Sequence, residues 1–140
     1  MGSIIRLKLS CNSIEWGWER LRPLRQLREL DLVGCRITEV PAALEGMESV
    51  TNLKFGYNHI KHGWEHLRPL RQLRKLNLEF CGLTEVPAAV AGLESVTSLI
   101  LIGNHIERGW EHLRSLTRLQ ELKAAVDEKS ARGAQGADKI

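Results

Sequence analysis

The chain repeats itself every 23 residues, and this period limits what it can fold into. Each unit opens with an apolar residue, then has two variable positions, an apolar one, a variable one and an apolar one. The units begin at Ile4, Leu27, Val50, Leu73, Val96 and Leu119. Self-similarity at such a period is typical of a solenoid, in which each unit packs against its neighbours. The period therefore favours a protein that offers a binding surface over a compact enzyme.

Composition is that of an ordinary folded chain, with 43% hydrophobic and 26% charged residues. No apolar run approaches the roughly 18 residues that a membrane helix needs. The N-terminal residues lack the apolar core and cleavage site of a signal peptide. We therefore expect a protein that does not contact membranes.

The net charge of +3 is too small to indicate a nucleic-acid partner on its own. Glutamates such as Glu19, Glu29, Glu65 and Glu111 lie close in sequence to a regular series of arginines. That series comprises Arg22, Arg25, Arg28, Arg68, Arg71, Arg74, Arg114 and Arg118. The mixture predicts a solvated face with salt bridges and no nucleic-acid partner.

The three cysteines, Cys11, Cys35 and Cys81, do not form a disulfide framework, since their number is odd and their spacing unpaired. Cys35 and Cys81 are two units apart, which places them roughly 10 Å from each other on strands spaced ~4.8 Å apart. That is too far for a disulfide. Free thiols favour a reducing compartment, so we predict a cytoplasmic protein.

The ninth and eleventh positions of each unit complete a longer phrase. The ninth reads Asn12, Cys35, Asn58, Cys81, Asn104, and the eleventh reads Ile14, Ile37, Ile60, Leu83, Ile106. The phrase L-x-x-L-x-L-x-x-N/C-x-L closely resembles the leucine-rich repeat family over residues 4–126. The resemblance implies an α/β solenoid of horseshoe shape, with a parallel sheet on the concave side and short helical or 3₁₀ turns on the convex side. The period-two alternation independently suits short, half-buried strands.

In this family the asparagine bonds to backbone groups of adjacent turns, and cysteine supplies only a weak version of that bond. Alternate turns are therefore expected to be held less firmly. The second halves of the units alternate as well, between a Gly-Trp-Glu kind and a Thr-Glu-Val-Pro-Ala-Ala kind. Residues 27–49 and 73–95 are identical at 14 of 23 positions. Such repetition fits either recent duplication of a 46-residue block or a designed scaffold.

The two ends of the array depart from the pattern. The repeat domain is predicted over 4–126, about five and a half units, followed by a polar tail over 127–140 that we expect to be partly disordered. Residues 116–131 are expected to continue as a cap helix, with Leu119, Leu122 and Val126 packed inward. The first strand leaves an open edge, so self-association through the ends is an alternative.

The candidate binding surface is the concave face, because positions three, five, seven and eight vary between like units whereas the back does not. We predict partner contacts at Lys54, Tyr57, Asn77, Glu79, Phe80, Ile100 and Ile102. An apolar cluster among mixed charges is typical of a protein-binding hot spot. For Phe80 a core position and a contact position are equally compatible with the sequence. Trp18, Trp64 and Trp110 are expected in the core and Trp16 at the surface.

The histidines His59, His62 and His66 do not predict a metal site, since Gly63 interrupts any helix and the repeat register explains them. No phosphate loop or catalytic group is apparent, so we expect neither catalysis nor a cofactor. The predicted function is a protein–protein interaction module. The alternatives are a designed or truncated repeat scaffold without an evolved partner, able to self-associate, and a regulatory segment of a larger protein.

Overall fold

The computed structural model describes residues 4–124, and within them one parallel sheet runs the length of the molecule. Its six strands are β1 Arg6–Lys8, β2 Glu29–Asp31, β3 Asn52–Lys54, β4 Lys75–Asn77, β5 Ser98–Ile100 and β6 Glu121–Lys123. Each strand pairs with the next at a constant offset of 23 residues, as in Leu30 with Leu53. The predicted solenoid with a parallel sheet is confirmed.

Short 3₁₀ helices face the sheet from the other side of each turn. They are η1 Trp18–Leu21, η2 Ala42–Gly46, η3 Trp64–Leu67, η4 Ala88–Gly92 and η5 Trp110–Ser115. Pro41 and Pro87 immediately precede η2 and η4, where a missing backbone N–H breaks no helical bond. Among residues 4–124 no helix is long and apolar enough to cross a membrane.

The core consists of the apolar frame positions, stacked from unit to unit. Leu53, Phe55 and Leu76 in the middle of the array are at most 1% exposed. In the first unit Leu7 and Leu9 are only partly buried, because no described unit covers their outer side. The half-buried Trp18, Trp64 and Trp110 pack against this core, and Trp16 is 78% exposed, as expected.

The ninth-position side chains hold neighbouring turns together, and they do so unequally. The buried Asn58 amide donates to the carbonyls of Leu32 (2.9 Å) and Phe55 (2.7 Å). Its Oδ1 accepts from the backbone N–H groups of Cys35 and Ile37 at 3.0 and 2.9 Å. Asn104 repeats this set of bonds one pair of units later.

A cysteine at the ninth position makes fewer and weaker hydrogen bonds between neighbouring turns than an asparagine does. The Cys35 thiol donates to the carbonyl of Leu9 at 3.0 Å, and the Cys81 thiol to that of Phe55 at 3.2 Å. The backbone N–H groups of Asn12 and Asn58 lie near the Cys35 and Cys81 sulfurs, but sulfur is a weaker acceptor than the asparagine oxygen. The geometry therefore agrees with the expectation that alternate turns are held less firmly.

The cap helix predicted over 116–131 is wrong for the part that the structure describes. Residues 117–118 form a turn and β6 begins at Glu121. The reason is the open edge of β5, since the N–H groups of Gln120 and Glu121 both donate to the Thr97 carbonyl at 2.8 and 2.9 Å. Leu119 and Leu122 are partly buried against the core, as predicted, but from a strand. Val126 and the tail over 127–140 lie outside the described residues.

Candidate functional site

The candidate surface is the concave face, which we define as the residues at positions three, five, seven and eight of each unit. In the third unit these are Asn52, Lys54, Gly56 and Tyr57. The middle residue of each strand from β2 to β5 is buried, and its flanking residues are largely half-buried. Lys54, Asn77 and Ile100 therefore lie half-buried on this face, where the sequence predicted them. Whether they contact a partner stays a prediction.

Charged side chains at the N-terminal end of the face form one network around Glu29. Its carboxylate lies 3.6 Å from Arg6 Nε and 3.7 Å from Lys54 Nζ, and it accepts from the Asn52 amide at 3.2 Å. The positive charge of Lys54 is therefore partly compensated. Such partly exposed pairs contribute little to stability but set the sign of charge that an approaching molecule meets.

Asn77 and Glu79 are held in fixed positions next to this network. The backbone N–H of Glu79 donates to Asn77 Oδ1 at 2.9 Å, and the Asn77 amide lies 3.5 Å from Glu79 Oε1. The Glu79 side chain extends across Gly56, where an added Cβ would be 2.8 Å from its Cγ. Because Gly56 has no side chain, the Glu79 side chain can extend across it.

Tyr57 and Phe80 form a stacked pair at the centre of the face. Their ring centroids are 4.9 Å apart with an interplanar angle of 15°. Tyr57 is 55% exposed and Phe80 is 41% exposed, and neither belongs to the buried core. Of the two positions that the sequence left open for Phe80, the structure shows the exposed one.

Both aromatic residues adopt the left-handed backbone conformation, with φ of 60° for Tyr57 and 51° for Phe80. The fold imposes this conformation, because Cys11, Gly34 and Gly103 at the equivalent position also have positive φ. An L-residue in this region costs roughly 1–2 kcal/mol, which a glycine avoids. The chain therefore places two bulky aromatic residues where a glycine is less strained.

The rings are supported from one side only. The Phe80 ring lies over Gly103, where an added Cβ would be 2.5 Å from Phe80 Cδ1. Tyr57 in turn stacks on Phe80. Over Gly34, on the other side of Tyr57, the nearest atoms to an added Cβ belong to Cys11 at 3.8 Å. Both rings thus lean in the same direction along the array, toward Gly103 and away from Gly34.

The half-buried Ile100 and Ile102 continue the apolar surface beyond Phe80. The Phe80 backbone N–H donates to the Ile102 carbonyl at 2.8 Å, which fixes the two residues side by side. Ile100 lies opposite Asn77 in the strand register. The structure therefore brings together Tyr57, Phe80 and Ile102, with Lys54 and Glu79 at the margin.

Sequence reasoning missed the roles of Gly34, Gly56 and Gly103, as well as the central place of Glu29. A signal for Gly34 and Gly103 was present, since position eight carries glycine in these two units and a larger residue in the others. That mixture indicates a position with positive φ.

The titratable groups of the described residues do not indicate catalysis. Burial raises the pKa of the Cys35 thiol and raises the pKa of the Cys81 thiol to about 11, so both thiols stay protonated at neutral pH. Cys11 is exposed. No group of three or more His, Cys, Asp or Glu side chains within residues 4–124 is arranged to hold a metal ion. His62 and His66 instead pair with Glu39 and Glu45.

Comparison with known proteins agrees with this architecture. The sequence model of the leucine rich repeat family matches residues 25–83. Internalin C2 of Listeria monocytogenes has a TM-score of 0.75 and 27% identity over 85% of this chain. A leucine-rich repeat protein of Leptospira interrogans has a TM-score of 0.70 and 25% identity over 82%.

An internalin F structure from Listeria monocytogenes, at 17% identity and a TM-score of 0.56, shares the fold over 95% of this chain. The chain spans 50% of internalin C2, 30% of the Leptospira protein and 52% of internalin F. No curated protein matches the sequence.

Proposed function

Because this chain is a leucine-rich repeat protein, we propose that it is a protein-binding module whose concave face docks a partner around Tyr57 and Phe80. The leucine-rich repeat fold commonly mediates protein–protein interaction, and proteins of this family are generally binding modules without catalysis. The face and the residues are our proposal, and they rest on the geometry of the stacked pair.

The observation that carries the proposal is the combination of exposure and backbone strain at Tyr57 and Phe80. Residues held in sparsely populated backbone conformations cluster at functional sites, where the strain is compensated by function. Exposed aromatic residues surrounded by polar groups are also the usual anchors of protein interfaces. Lys54, Glu79 and Asn77 provide that polar margin.

The pair is preorganised for binding. Phe80 rests on Gly103 and Tyr57 rests on Phe80, so little side-chain freedom remains to be lost when a partner docks. Immobilising a free side chain costs about 0.5–1.5 kcal/mol, and a prepositioned ring avoids part of that cost. We expect the partner to cover Tyr57, Phe80 and Ile102 with an apolar patch of its own.

The test replaces both aromatic residues with glycine, which the fold accepts at position eight in Gly34 and Gly103. A Tyr57→Gly/Phe80→Gly variant removes both rings and also relieves the strain. The lost stacking of about 0.5–1.5 kcal/mol is offset by the relieved backbone. The variant should therefore unfold within about 1 kcal/mol of the wild type, which thermal denaturation checks first.

Wild type, the double variant and a Cys11→Gly control are then compared as baits in quantitative capture from cell lysate. Cys11 shares position eight and positive φ but lies at the other end of the face. We expect a protein that is captured by the wild type and the control and lost with the double variant. Equal capture by all three baits would refute the role of the aromatic pair.

A second candidate function is self-association through the first unit. Ile5 is 48% exposed, Trp16 is 78% exposed, and Leu7 and Leu9 are only partly buried. Units two to five carry Arg or Thr where Ile5 stands, and His62 occupies the position of Trp16. An Ile5→Thr/Trp16→His variant should remove any concentration dependence of the mass measured by light scattering. A mass that does not change with concentration in the wild type would exclude this candidate.

We also propose a cytoplasmic location, supported by three free cysteines, two of which are buried. A related proposal is that the chain acts as a regulatory segment of a longer protein, as its span of 50% of internalin C2 permits. Detecting the native protein by immunoblot, in cytoplasmic and secreted fractions, tests both proposals through its compartment and its size.

A further inference from the structure

A second surface lies on the flank of the solenoid, at the edge where the strands begin. Arg28 directly precedes β2, Thr51 precedes β3 and Arg74 precedes β4. The Thr51 N–H donates to the Arg28 carbonyl and the Arg74 N–H to the Thr51 carbonyl, both at 2.8 Å. The two arginines are thus fixed two strands apart, which is roughly 10 Å between their backbones.

A polar cleft of about 600 Å³ lies between these arginines. It is lined by Arg28, Ser49, Thr51, Gln72, Arg74 and Ser95. The lining carries two guanidinium groups, three hydroxyls and an amide, and it has no carboxylate. The adjoining cleft of about 430 Å³ shares Arg28, Thr51 and Arg74 and adds Arg6 and Lys75. Its single carboxylate, Glu29, is already paired with Arg6 and Lys54.

The contrast with a cleft on the convex side shows that this composition is not general to the surface. Between the first two units a cleft of about 470 Å³ also contains two arginines, Arg22 and Arg36. It includes the carboxylates Glu15, Glu19 and Glu39 as well, so its carboxylates outnumber its guanidinium groups. Arg28 and Arg74, by comparison, form no salt bridge with any residue in 4–124.

We propose that the flank cleft binds a phosphomonoester group, held between the guanidinium groups of Arg28 and Arg74. The planar guanidinium fork matches two oxygens of a phosphate group, and such charge-assisted hydrogen bonds are about twice as strong as neutral ones. The hydroxyls of Ser49 and Ser95 and the Gln72 amide provide further donors. The Thr51 hydroxyl already donates to the Arg28 carbonyl at 3.3 Å and serves to fix that arginine's backbone.

The cleft fits a single phosphate group better than a nucleic-acid strand. Strand binding relies on aromatic side chains on which successive bases stack. The exposed aromatic residues Trp16, Tyr57 and Phe80 do not line this cleft. A phosphorylated side chain and a phosphorylated small molecule share the chemistry that the cleft recognises, and the site is separate from the concave face.

The test is a titration of the folded chain with inorganic phosphate and with O-phosphoserine at pH 7.5, at constant ionic strength adjusted with chloride. The Nε–H resonances of Arg28 and Arg74 report on binding in the wild type, and the backbone amide resonances of Thr51 and Gln72, which line the same cleft, report on it in every variant. We expect saturable shifts of these resonances in the wild type. In an Arg28→Gln/Arg74→Gln variant, affinity should fall about tenfold, as the loss of charge-assisted bonds predicts. Tighter binding of O-phosphoserine than of inorganic phosphate would indicate a phosphorylated side chain as the source. Tighter binding of inorganic phosphate would indicate a small anion as the source.

The matched control is Arg22→Gln/Arg68→Gln, which removes the same charge from two exposed positions that are also 46 residues apart. It should leave the affinity unchanged. Equal losses in the two variants would show that only general electrostatics acts, and absent or non-saturating shifts would show that there is no site. Binding of a single-stranded oligonucleotide that strengthens with its length, without saturable phosphate binding, would instead indicate a nucleic-acid surface. Each of these results overturns the proposal.

Discussion

The junctions between neighbouring units are of two kinds, although the sheet that runs past them is uniform. We number the units 1 to 6 in chain order, from the unit that begins at Ile4 to the one that begins at Leu119. The junctions between units 2 and 3 and between units 4 and 5 are called closed joints. There, an asparagine ties the turns together and a second short ladder forms behind the sheet, at Glu39 with His62 and at Glu85 with Arg108. Val40 and Val86 each donate a backbone bond across a closed joint, at 3.1 and 3.0 Å.

Open joints lie between units 1 and 2 and between units 3 and 4. A single cysteine thiol reaches across each of them. Instead of a second ladder there is a cleft on the convex side, about 470 Å³ beside Trp18 and about 350 Å³ beside Trp64. The structural repeat is thus 46 residues, as the alternating second halves of the units indicated.

The closed joints are therefore held together by more hydrogen bonds than the open joints. Strand pairing alone is the same at every joint, so the difference in firmness comes from the ninth-position side chain and from the backbone behind the sheet. Tyr57 belongs to unit 3 and Phe80 to unit 4, so the aromatic pair spans an open joint. The stacking of Tyr57 on Phe80 adds a contact at a joint that has fewer hydrogen bonds between its two units.

Removing the asparagine of a closed joint should have the largest effect. An Asn58→Ala substitution leaves the N–H groups of Cys35 and Ile37 and the carbonyl of Leu32 buried without their partner. Each unsatisfied group costs roughly 1–3 kcal/mol, so we expect the free energy of unfolding to fall by about 3–5 kcal/mol. Urea denaturation measures it.

The control for that prediction is the same substitution at the exposed Asn12. Its amide bonds only to carbonyls of its own turn, those of Leu9 and Ser10. We expect a loss below about 0.5 kcal/mol there, as for most surface changes. Similar losses at Asn12 and Asn58 would mean that the bridge between units is not what stabilises the closed joint.

A methyl group at Gly63 should have the next largest effect. This glycine has φ of 88°, and an added Cβ would lie 2.9 Å from both the N and O atoms of Val40 across the closed joint. Gly63→Ala combines left-handed strain with a backbone clash, so a loss of about 3 kcal/mol is expected. Gly17 has the same φ and nothing within 4 Å. Gly17→Ala should therefore cost only about 1–2 kcal/mol, and equal values in thermal denaturation would contradict the close approach.

Much of the fold is predictable because side-chain alternation within each unit is a local property of the chain. The frame positions predicted the strands, and Asn58 and Cys81 at position nine predicted the stronger and weaker turns. The cap helix failed because residues 116–124 look helical locally, whereas the open edge of β5 lies 23 residues earlier and favours a strand. Competition between local preference and such pairing is decided by tertiary context.

The candidate site was predictable in position but not in geometry. Alternation placed Tyr57 and Phe80 on the concave face, yet neither residue type favours a positive φ, so the strain was not visible from them. The closed joints were missed for a similar reason. The approach of Gly63 to Val40 is a distance between units, and a single unit does not encode it. The basic cleft was likewise missed, because the arginine series does not show which members face a carboxylate.

The open joints carry a pH dependence that comes from their cysteine thiols. Burial raises the pKa of Cys81 from 9.0 to about 11, so the folded state favours the neutral thiol. Its contribution to stability is fully present below pH 9 and is lost as the pH rises toward 11. Relative to Cys81→Ala, the wild type should lose on the order of 1–2 kcal/mol between pH 7.5 and pH 10.5. Other groups that titrate there are common to both proteins and cancel. A constant difference in urea denaturation across this range would contradict burial of the thiol.

The smallest expected effect concerns the ion pairs behind the two closed joints. His62 Nδ1 lies 3.2 Å from Glu39 at one joint, and Arg108 Nε lies 3.0 Å from Glu85 at the other. A His62→Arg substitution gives the first joint the permanent charge of the second. Both pairs are largely exposed, so the gain in unfolding free energy should be only about 0.5 kcal/mol.

A double-mutant cycle with Glu39→Gln separates this pair from other effects of the longer side chain. The gain should disappear in the Glu39→Gln background and shrink at high salt, since exposed pairs are screened. If His62→Arg stabilises the protein equally without the carboxylate, the gain comes from packing of the arginine stem. The closed joints would then owe their firmness to asparagine and backbone bonds alone.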